Sequence, residues 1–442
     1  MSSLRKFFYG LLIAVFCVAH LSVPGLAKEL SYDKYAPNAV ESYKESLAKK
    51  IMTKFLVYPF EPVRWAMDKG AVMTEKYRIE RKVNWFYERL QQYGITPDIN
   101  IFSATSWGVG LDLDLVRLGR LRVDYPNLIA RSWFFWEYRM VLETGTEIGY
   151  DQIMDTPFYT RGLFKYENHP EEHFYGIGPH TSRGDGSNFR YEATTLKPTI
   201  GFSPSPFFNW NGYFMYRNVS IADGKNKGMG VIDKVFQPQT IPGLNDDSLL
   251  SYGTEIKNDT RDQNENSTRG GLRRFGFSYN QGASSKASYF KYEAEVSQYQ
   301  TLWSPQSVLA GRLYAETNSE TSGHYVPFYD MAKLGGYGSY PYMTSRTLRG
   351  YDFNRFIDKN SVLVNLEYRY TIWQYRAFKA DAVFFWDNGQ VFQKISKFKF
   401  SDTRTSYGTG LRISVGGVAL VSAEVAHGDE GTEFYVKSAA PF

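Results

Sequence analysis

The clearest pattern along the chain is a two-residue alternation of apolar and polar side chains in its C-terminal third. The apolar face of one segment carries Val362, Val364, Leu366, Tyr368, Tyr370 and Ile372. Its other face is polar and carries Asn365, Glu367, Arg369 and Thr371. A second segment, Phe378 to Asp387, alternates less cleanly, because Val383 and Phe385 fall on its polar face. A period of two over this length predicts β-strands. Strands of about ten residues with one apolar and one charged face are typical of membrane strands around a polar lumen.

The same pattern predicts strands from Ile101 onward. The predicted strands are 106–117, 131–143, 158–166, 189–202, 209–221, 272–279, 288–299, 307–316, 362–372, 378–387, 405–415, 418–426 and 432–442. The polar stretch 222–270 predicts one or two long outer loops with room for one strand pair, and no strand is expected between Thr317 and Arg349. At roughly 21 residues per strand with its share of loops, the chain from Ile101 to its end predicts about 16 strands. The predicted fold class is therefore all-β, a transmembrane antiparallel β-barrel of about 16 strands with a short N-terminal helical segment.

Loop lengths predict which end of each strand faces outward. Near the C-terminus, the short connections 374–377 and 416–417 alternate with the longer ones, 388–404 and 427–431. Outer-membrane barrels have short periplasmic turns and longer outer loops. The chain end, Phe442, is therefore expected in the periplasm, and residues 223–269 are expected outside.

Composition excludes other membrane classes. Mean hydropathy is −0.40, which is too low for a bundle of membrane-spanning helices. Aromatic residues make up 17% of the chain, as expected for a barrel with aromatic girdles at both membrane interfaces. A soluble β-sandwich is the alternative, but the alternating segments are long for soluble strands.

The N-terminus predicts three consecutive regions. Residues 1–27 have the features of a signal peptide: Arg5 and Lys6, a short apolar run, and small residues before Lys28. Cys17, the only cysteine, lies in this segment, so no disulfide is expected in the mature chain. Residues 28–97 predict a periplasmic helical segment with two helical runs, 39–55 and 73–93, and residues 98–442 predict the barrel. The helices are expected either to lie on the inner leaflet or beneath the barrel as an amphipathic segment, or to form an ordinary packed cap.

Several motifs together resemble the BamA-like outer-membrane assembly factors of the bacterial surface-antigen superfamily. They are Leu334-Gly335-Gly336, Thr347-Leu348-Arg349-Gly350-Tyr351, Asn354-Arg355-Phe356, Asn365-Leu366-Glu367-Tyr368-Arg369 and Phe385-Trp386-Asp387-Asn388-Gly389-Gln390-Val391-Phe392. The resemblance covers roughly residues 100 to 442 and implies a 16-stranded barrel whose sixth outer loop folds back into the lumen. It departs from the family at residues 28–97, which are too short to hold a periplasmic transport-associated domain comfortably. The expected member therefore lacks those domains.

The resemblance implies a lumen-loop lock, formed by Arg349, Gly350, Tyr351, Glu367 and Asp387. In the family, the arginine of the loop reaches into the lumen and pairs with acids on the inner wall. The two carboxylates at the matching positions, Glu367 and Asp387, fall on the more charged faces of their strands. An arginine between two acids would make charge-assisted hydrogen bonds that hold a long loop in place, and Gly350 would allow a sharp turn. The alternative is that residues 348–351 form an ordinary surface turn.

The chain end carries an imperfect barrel-assembly signal. Phe434, Val436 and Phe442 keep the alternation and the terminal aromatic residue expected of such a signal, although Ala440 and Pro441 interrupt it. The expected partners are therefore outer-membrane lipid, the barrel-assembly machinery during insertion, and a separate periplasmic protein. The formal net charge of +5 is too small to point to nucleic acid.

Three functions remain open from the sequence. The first is assistance in outer-membrane protein assembly or export through a periplasmic partner, as the resemblance implies. The second is a pore-forming or structural barrel without protein-transport activity, and the third is a receptor or enzyme displayed on the scaffold. No nucleophile signature such as Gly-x-Ser-x-Gly is found. The chain is thus expected to be a non-enzyme without a cofactor or metal, in the outer membrane of a Gram-negative-type bacterium.

Overall fold

A computed structural model of the protein describes residues 61–442 except 77–78, 101–107, 122–124, 126, 138–140, 264–265, 337–345, 377, 416–417 and 438–441. The predicted signal peptide and the first predicted helical run lie outside the described residues. From Glu61 onward, where the described residues begin, two helices precede the strands, α1 (Glu61–Lys76) and α2 (Ile79–Gln92). None of the described helices is long and apolar enough to cross a membrane.

The second helical run was predicted to begin at Met73, but helix α1 already begins at Glu61. Pro62, which lies between the two predicted helical runs, is in the first turn of α1. Proline is tolerated there, because the first turn of a helix leaves its backbone N–H groups unpaired in any case. The proline therefore starts this helix and does not break it.

Within the part of the chain that the structure describes, sixteen antiparallel strands form the wall of the barrel, as the sequence predicted. They are β1 (Ile95–Asn100), β2 (Gly108–Asp114), β3 (Leu128–Glu137), β4 (Val141–Tyr150), β5 (Phe158–Phe174), β6 (Ser187–Ser205), β7 (Phe208–Asp223), β8 (Asp247–Asp259), β9 (Gly270–Gly282), β10 (Ser288–Thr301), β11 (Ser307–Glu320), β12 (Asn360–Tyr375), β13 (Phe378–Phe392), β14 (Arg404–Val415), β15 (Val418–Gly428) and β16 (Gly431–Lys437). Each strand pairs with the next in this order. Short helices α3 (Leu115–Leu118) and α4 (Ile232–Val235) lie in connections.

Several strand predictions were wrong. Strand β1 begins at Ile95, within the segment predicted to be helical and before the first predicted strand. Residues 131–143 were predicted as one strand, yet residues 131–137 lie in β3 and residues 141–143 lie in β4, which pairs antiparallel with β3. The prediction joined the two strands because neither glycine nor proline occurs between them. The stretch 222–270 was predicted as one or two outer loops with room for one strand pair, yet it contains a single long strand of the wall, β8. The connection 260–269 therefore lies at the opposite end of the barrel from the connection 224–246, and only the latter keeps the predicted outer position.

Loop length indicates the orientation of the barrel. The two longest connections, 224–246 and 321–359, leave the same end, whereas the short connections 302–306 and 206–207 leave the other. Long loops mark the outer end of outer-membrane barrels. The connection 321–359, between β11 and β12, is then the sixth outer loop.

The alternation separates lipid-facing from lumenal side chains. On β12 and β13, Leu366 and Trp386 remain exposed on the outer surface, whereas Glu367 and Asp387 are fully buried in the lumen. The irregularity of the second segment has a physical reason, since Phe385 is also lumenal and 5% exposed. Its ring contacts the guanidinium of Arg349 there.

The sixth outer loop turns back into the lumen. It contains a short hairpin, Ala332–Leu334 paired with Phe356–Asp358, where no strand was predicted. Its apolar side chains pack with those of the wall in one buried cluster of Tyr314, Leu334, Leu348, Tyr351, Phe356, Leu363 and Val391. This packing brings Arg349 to the inner face of the wall.

Candidate functional site in the barrel lumen

Arg349 lies inside the barrel with none of its surface exposed. Its guanidinium makes two parallel hydrogen bonds to Asp387, from Nε to Oδ2 at 2.6 Å and from Nη2 to Oδ1 at 2.7 Å. Nη1 donates to Glu367 Oε1 at 2.7 Å and to Glu424 Oε2 at 3.2 Å. The structure thus brings together the three charged residues that the sequence singled out, and it adds a third carboxylate.

The guanidinium also lies over the ring of Phe385, with 3.5 Å between Cζ of Arg349 and the ring centroid. An aromatic face attracts a cation, and the attraction is stronger where water is excluded. Burial by itself lowers the pKa of Arg349, but the carboxylates of Asp387, Glu424 and Glu367 raise it well above its usual value. Arg349 therefore stays charged in this site.

Two further arginines complete what we call the lumen cluster: Arg349, Arg369, Arg412, Glu367, Asp387 and Glu424. Arg369 Nε donates to Glu367 Oε2 at 2.8 Å. Arg412 donates to Glu367 at 3.2 Å and to Glu424 at 3.0 Å. Three guanidiniums thus face three carboxylates, and this balance offsets part of the cost of taking them out of water.

Arg412 and Glu424 were missed by the sequence reasoning, although a signal for them exists. Arg412 lies within the predicted strand 405–415, and Glu424 lies within the predicted strand 418–426. Both occupy lumen-facing positions of their strands and are almost fully buried. A search for charged residues on the inner faces of all C-terminal strands would have found them.

Gly350 and Tyr351 fix the backbone beside Arg349. Gly350 has a φ of +85°, and a Cβ atom there would lie 3.1 Å from Cβ of Ser406, so a side chain is disfavoured on both grounds. Its N–H donates to the hydroxyl of Tyr435 at 3.0 Å, and that hydroxyl donates to the carbonyl of Tyr351 at 2.9 Å. The last wall strand therefore holds the loop through one side chain.

We expect Tyr435→Phe to weaken this attachment. The change leaves the buried N–H of Gly350 without its acceptor, which costs about 1–3 kcal/mol. The compact form of the folded barrel is followed on an unheated gel. The urea concentration at which half of this form is lost should be lower for Tyr435→Phe than for the wild type. Tyr407→Phe is the matched control, because Tyr407 is 60% exposed on the outer surface. Equal midpoints for both variants would show that the Tyr435 hydroxyl does not hold the loop.

A second group of ionic contacts lies at the outer end of the barrel. Arg355, which is fully buried, donates to both carboxylate oxygens of Glu430 at 2.6 and 2.8 Å, and to the side chain and carbonyl of Thr181 at 2.7 and 2.6 Å. Nearby, Arg183 makes two hydrogen bonds to Asp352 at 2.7 and 3.0 Å. The sixth loop is thereby joined to the third and eighth outer loops.

The periplasmic connection 260–269 reaches the lumen cluster from the other side. Asn266, 6% exposed, donates to Asp381 Oδ2 at 3.0 Å and accepts from Arg369 at 3.3 Å. The carbonyl of Ser267 accepts from Arg369 at 3.2 Å. The centre of the lumen is thus contacted by chain segments from both ends.

The residues of the predicted C-terminal signal take different positions. Phe434 is 65% exposed on the outer surface and Val436 is half-buried. Of the predicted strand 432–442, residues 432–437 lie in β16, and residues 438–441 lie outside the described residues. Phe442 packs in the lumen against Tyr299 and Ala310, so it does not continue the outward face of Phe434. The ring of Phe442 is therefore buried against lumenal residues and is not exposed to lipid.

Comparisons with known proteins add to this geometry. A family model described as "Omp85 superfamily domain" matches residues 142–436. Among solved structures, BamA from Haemophilus ducreyi lacking POTRA domains 1-3 aligns with a TM-score of 0.56 at 14% identity, covering 78% of this chain and 68% of that chain. CdiB from Acinetobacter baumannii aligns with a TM-score of 0.45 at 12% identity, over 78% and 59% of the two chains. No curated protein matches the sequence.

Proposed function

Because the chain belongs to the Omp85 superfamily, as its motifs suggested, we propose that it is an outer-membrane barrel of a Gram-negative-type bacterium that assists the assembly or export of proteins. In this proposal a separate periplasmic protein supplies client binding. The Arg349 contacts hold the sixth outer loop in the lumen as the lumen-loop lock.

The occupied lumen is the observation that carries the proposal. Arg349, Glu367, Asp387 and Arg412 are fully buried at its centre, although a solute pore uses an open polar lumen. Burying charges is costly, and replacing a buried ionic cluster with apolar residues often stabilises a protein. The presence of a buried ionic cluster in this lumen favours a role in fixing one arrangement of the sixth loop over a role in conduction.

Deletion of the gene in the source bacterium tests this function. We expect the deletion strain to lose a subset of barrel proteins from its outer membrane, or to retain exported proteins in the periplasm. A plasmid copy should restore them, and a copy carrying Arg349→Ala should restore them less well. Cross-linking of the tagged protein in cells should also capture a periplasmic protein.

A planar-bilayer conductance measurement distinguishes the proposed function from that of a solute pore. The wild-type barrel should show no large, steady conductance, because its lumen is occupied. A wide steady conductance, together with an unchanged outer-membrane proteome in the deletion strain, would contradict the proposal and favour a solute pore.

A further inference from the structure

Helix α1 packs against the outside of the barrel. Met67, 2% exposed, lies in one buried cluster with side chains of four wall strands, namely Tyr370, Ile372, Trp373, Phe378, Ala380, Ala382, Ile413 and Val421. Val63 and Ala66 of the same helix pack against this cluster. In addition, the indole Nε1 of Trp373 donates to Asp68 Oδ1 at 2.7 Å. The helix is therefore attached to the wall by both apolar packing and a hydrogen bond.

Strand alternation shows which face of the wall α1 covers. On β13 the lumenal residues are Asp381, Val383 and Phe385, so Ala380 and Ala382 point outward. Further along the same outward face, Trp386 is 39% exposed, as expected for a residue that contacts lipid. The helix thus covers the outward face of β13 at Ala380 and Ala382, whereas the same face is open to lipid at Trp386.

The covered level is near the periplasmic end. Phe378 begins β13 at that end, and Ala382 is four residues further along the strand. With a rise of about 3.3 Å per residue and a strand tilt near 40°, these four residues span a height of roughly 10 Å. This is the depth at which amphipathic helices lie in a membrane interface, about 5–10 Å into the headgroup and acyl boundary.

The wall is shaped to receive the helix at this level. Ala380 and Ala382 are both fully buried beneath it, whereas the next outward positions on β13 are Phe384 and Trp386. Small side chains let a helix approach the sheet closely, and larger ones would force it away.

Large apolar side chains on the helices remain uncovered. Trp65 and Val72 of α1 are 50% and 59% exposed, and Trp85 and Phe86 of α2 are 65% and 50% exposed. Tryptophan is enriched at membrane interfaces, where its ring can be apolar on one side and hydrogen-bonded on the other.

We infer that α1 and α2 lie in the headgroup region of the periplasmic leaflet, and that Trp65, Trp85 and Phe86 contact phospholipid. The helices then form a membrane-binding surface outside the barrel wall. The inference is independent of the proposed function, because it rests on the outer surface of the barrel and not on its lumen.

Spin labels on single cysteines test the inference. Cys17 lies in the predicted signal peptide and is the only cysteine of the chain, so Trp65→Cys and Trp85→Cys each place one label in the mature protein. The variants are reconstituted in vesicles of phosphatidylethanolamine and phosphatidylglycerol. Relaxation by oxygen, which partitions into lipid, is then compared with relaxation by a water-soluble nickel chelate.

Two control positions calibrate the measurement. Tyr407→Cys lies on the lipid-facing wall, where Tyr407 is 60% exposed, and Phe400→Cys lies in an outer loop, where Phe400 is 85% exposed. We expect the ratio of oxygen to nickel accessibility at positions 65 and 85 to exceed that at position 400 several-fold and to approach that at position 407. Each variant must keep the compact gel band of a folded barrel.

Ratios at positions 65 and 85 equal to that at position 400, in folded barrels, would overturn the inference. The helices would then be a water-exposed cap, or a surface for a periplasmic protein. Neither outcome depends on outer-membrane proteome changes, so the inference can fail while the proposed function stands.

Discussion

Replacing Arg349 with alanine should release the sixth outer loop from the lumen. Asp387 would lose two short hydrogen bonds from the guanidinium and keep a hydrogen bond from Asn365 at 2.8 Å. Breaking a fully buried ion pair by removing one partner costs about 3–5 kcal/mol. We therefore expect a large drop in the urea midpoint of the folded barrel, and new tryptic cleavage after Arg346 and Arg355.

Two other variants control for the loss of a positive charge. Arg349→Lys should restore only part of the stability, because an ammonium group cannot reproduce the two parallel bonds to Asp387. Lys394→Ala, in an exposed part of the seventh outer loop, should leave both the midpoint and the cleavage pattern unchanged. If Arg349→Ala behaves like Lys394→Ala in a folded barrel, Arg349 does not hold the loop.

Glu367→Gln should have the second large effect. Glu367 accepts hydrogen bonds from three arginines, Arg349, Arg369 and Arg412, at 2.7, 2.8 and 3.2 Å. The neutral amide would leave three buried guanidiniums with two carboxylates, and the expected cost is again about 3–5 kcal/mol. The urea midpoint should fall further than for Glu424→Gln, because Glu424 accepts from Arg349 and Arg412 at longer distances of 3.2 and 3.0 Å.

A compensating change distinguishes charge imbalance from lost packing. In Glu367→Gln combined with Arg369→Met, two arginines remain, with Asp387 beside Arg349 and Glu424 beside Arg412. This double variant should recover part of the lost stability, because each remaining charge has a close partner. A double variant less stable than Glu367→Gln alone would show that charge balance in the lumen cluster is not what stabilises it.

The barrel wall was predictable because one face of each strand contacts lipid and the other contacts the lumen. The alternation is clearest in the C-terminal strands, and there it predicted the strand ends to within a few residues. The fused prediction at 131–143 failed because alternation continues through the hairpin of β3 and β4 without a turn residue. Strand β8 was missed because serine, glycine and charged residues weaken its pattern, although Tyr252 and Ile256 are exposed on its outer face.

The site was predictable only where strand periodicity or a motif carried it. Arg349 stands in a recognisable motif, and Glu367 and Asp387 have inward-facing positions that follow from alternation. The contacts of Tyr435 with the sixth loop, and of Asn266 with Arg369, join segments more than 80 residues apart in sequence. Such contacts depend on how the wall closes around the loop, and no local pattern encodes them.

A double-mutant cycle between Arg349 and Asp387 tests the central claim most directly. The urea midpoints and unfolding free energies of wild type, Arg349→Ala, Asp387→Asn and the double variant are compared in folded barrels, with tryptic cleavage of the sixth loop as a second readout. If the pair holds the loop in the lumen, the double variant should be much less destabilised than the sum of the two single changes, and all three variants should be cut in the loop. Additive free energies with an uncut loop would contradict the account.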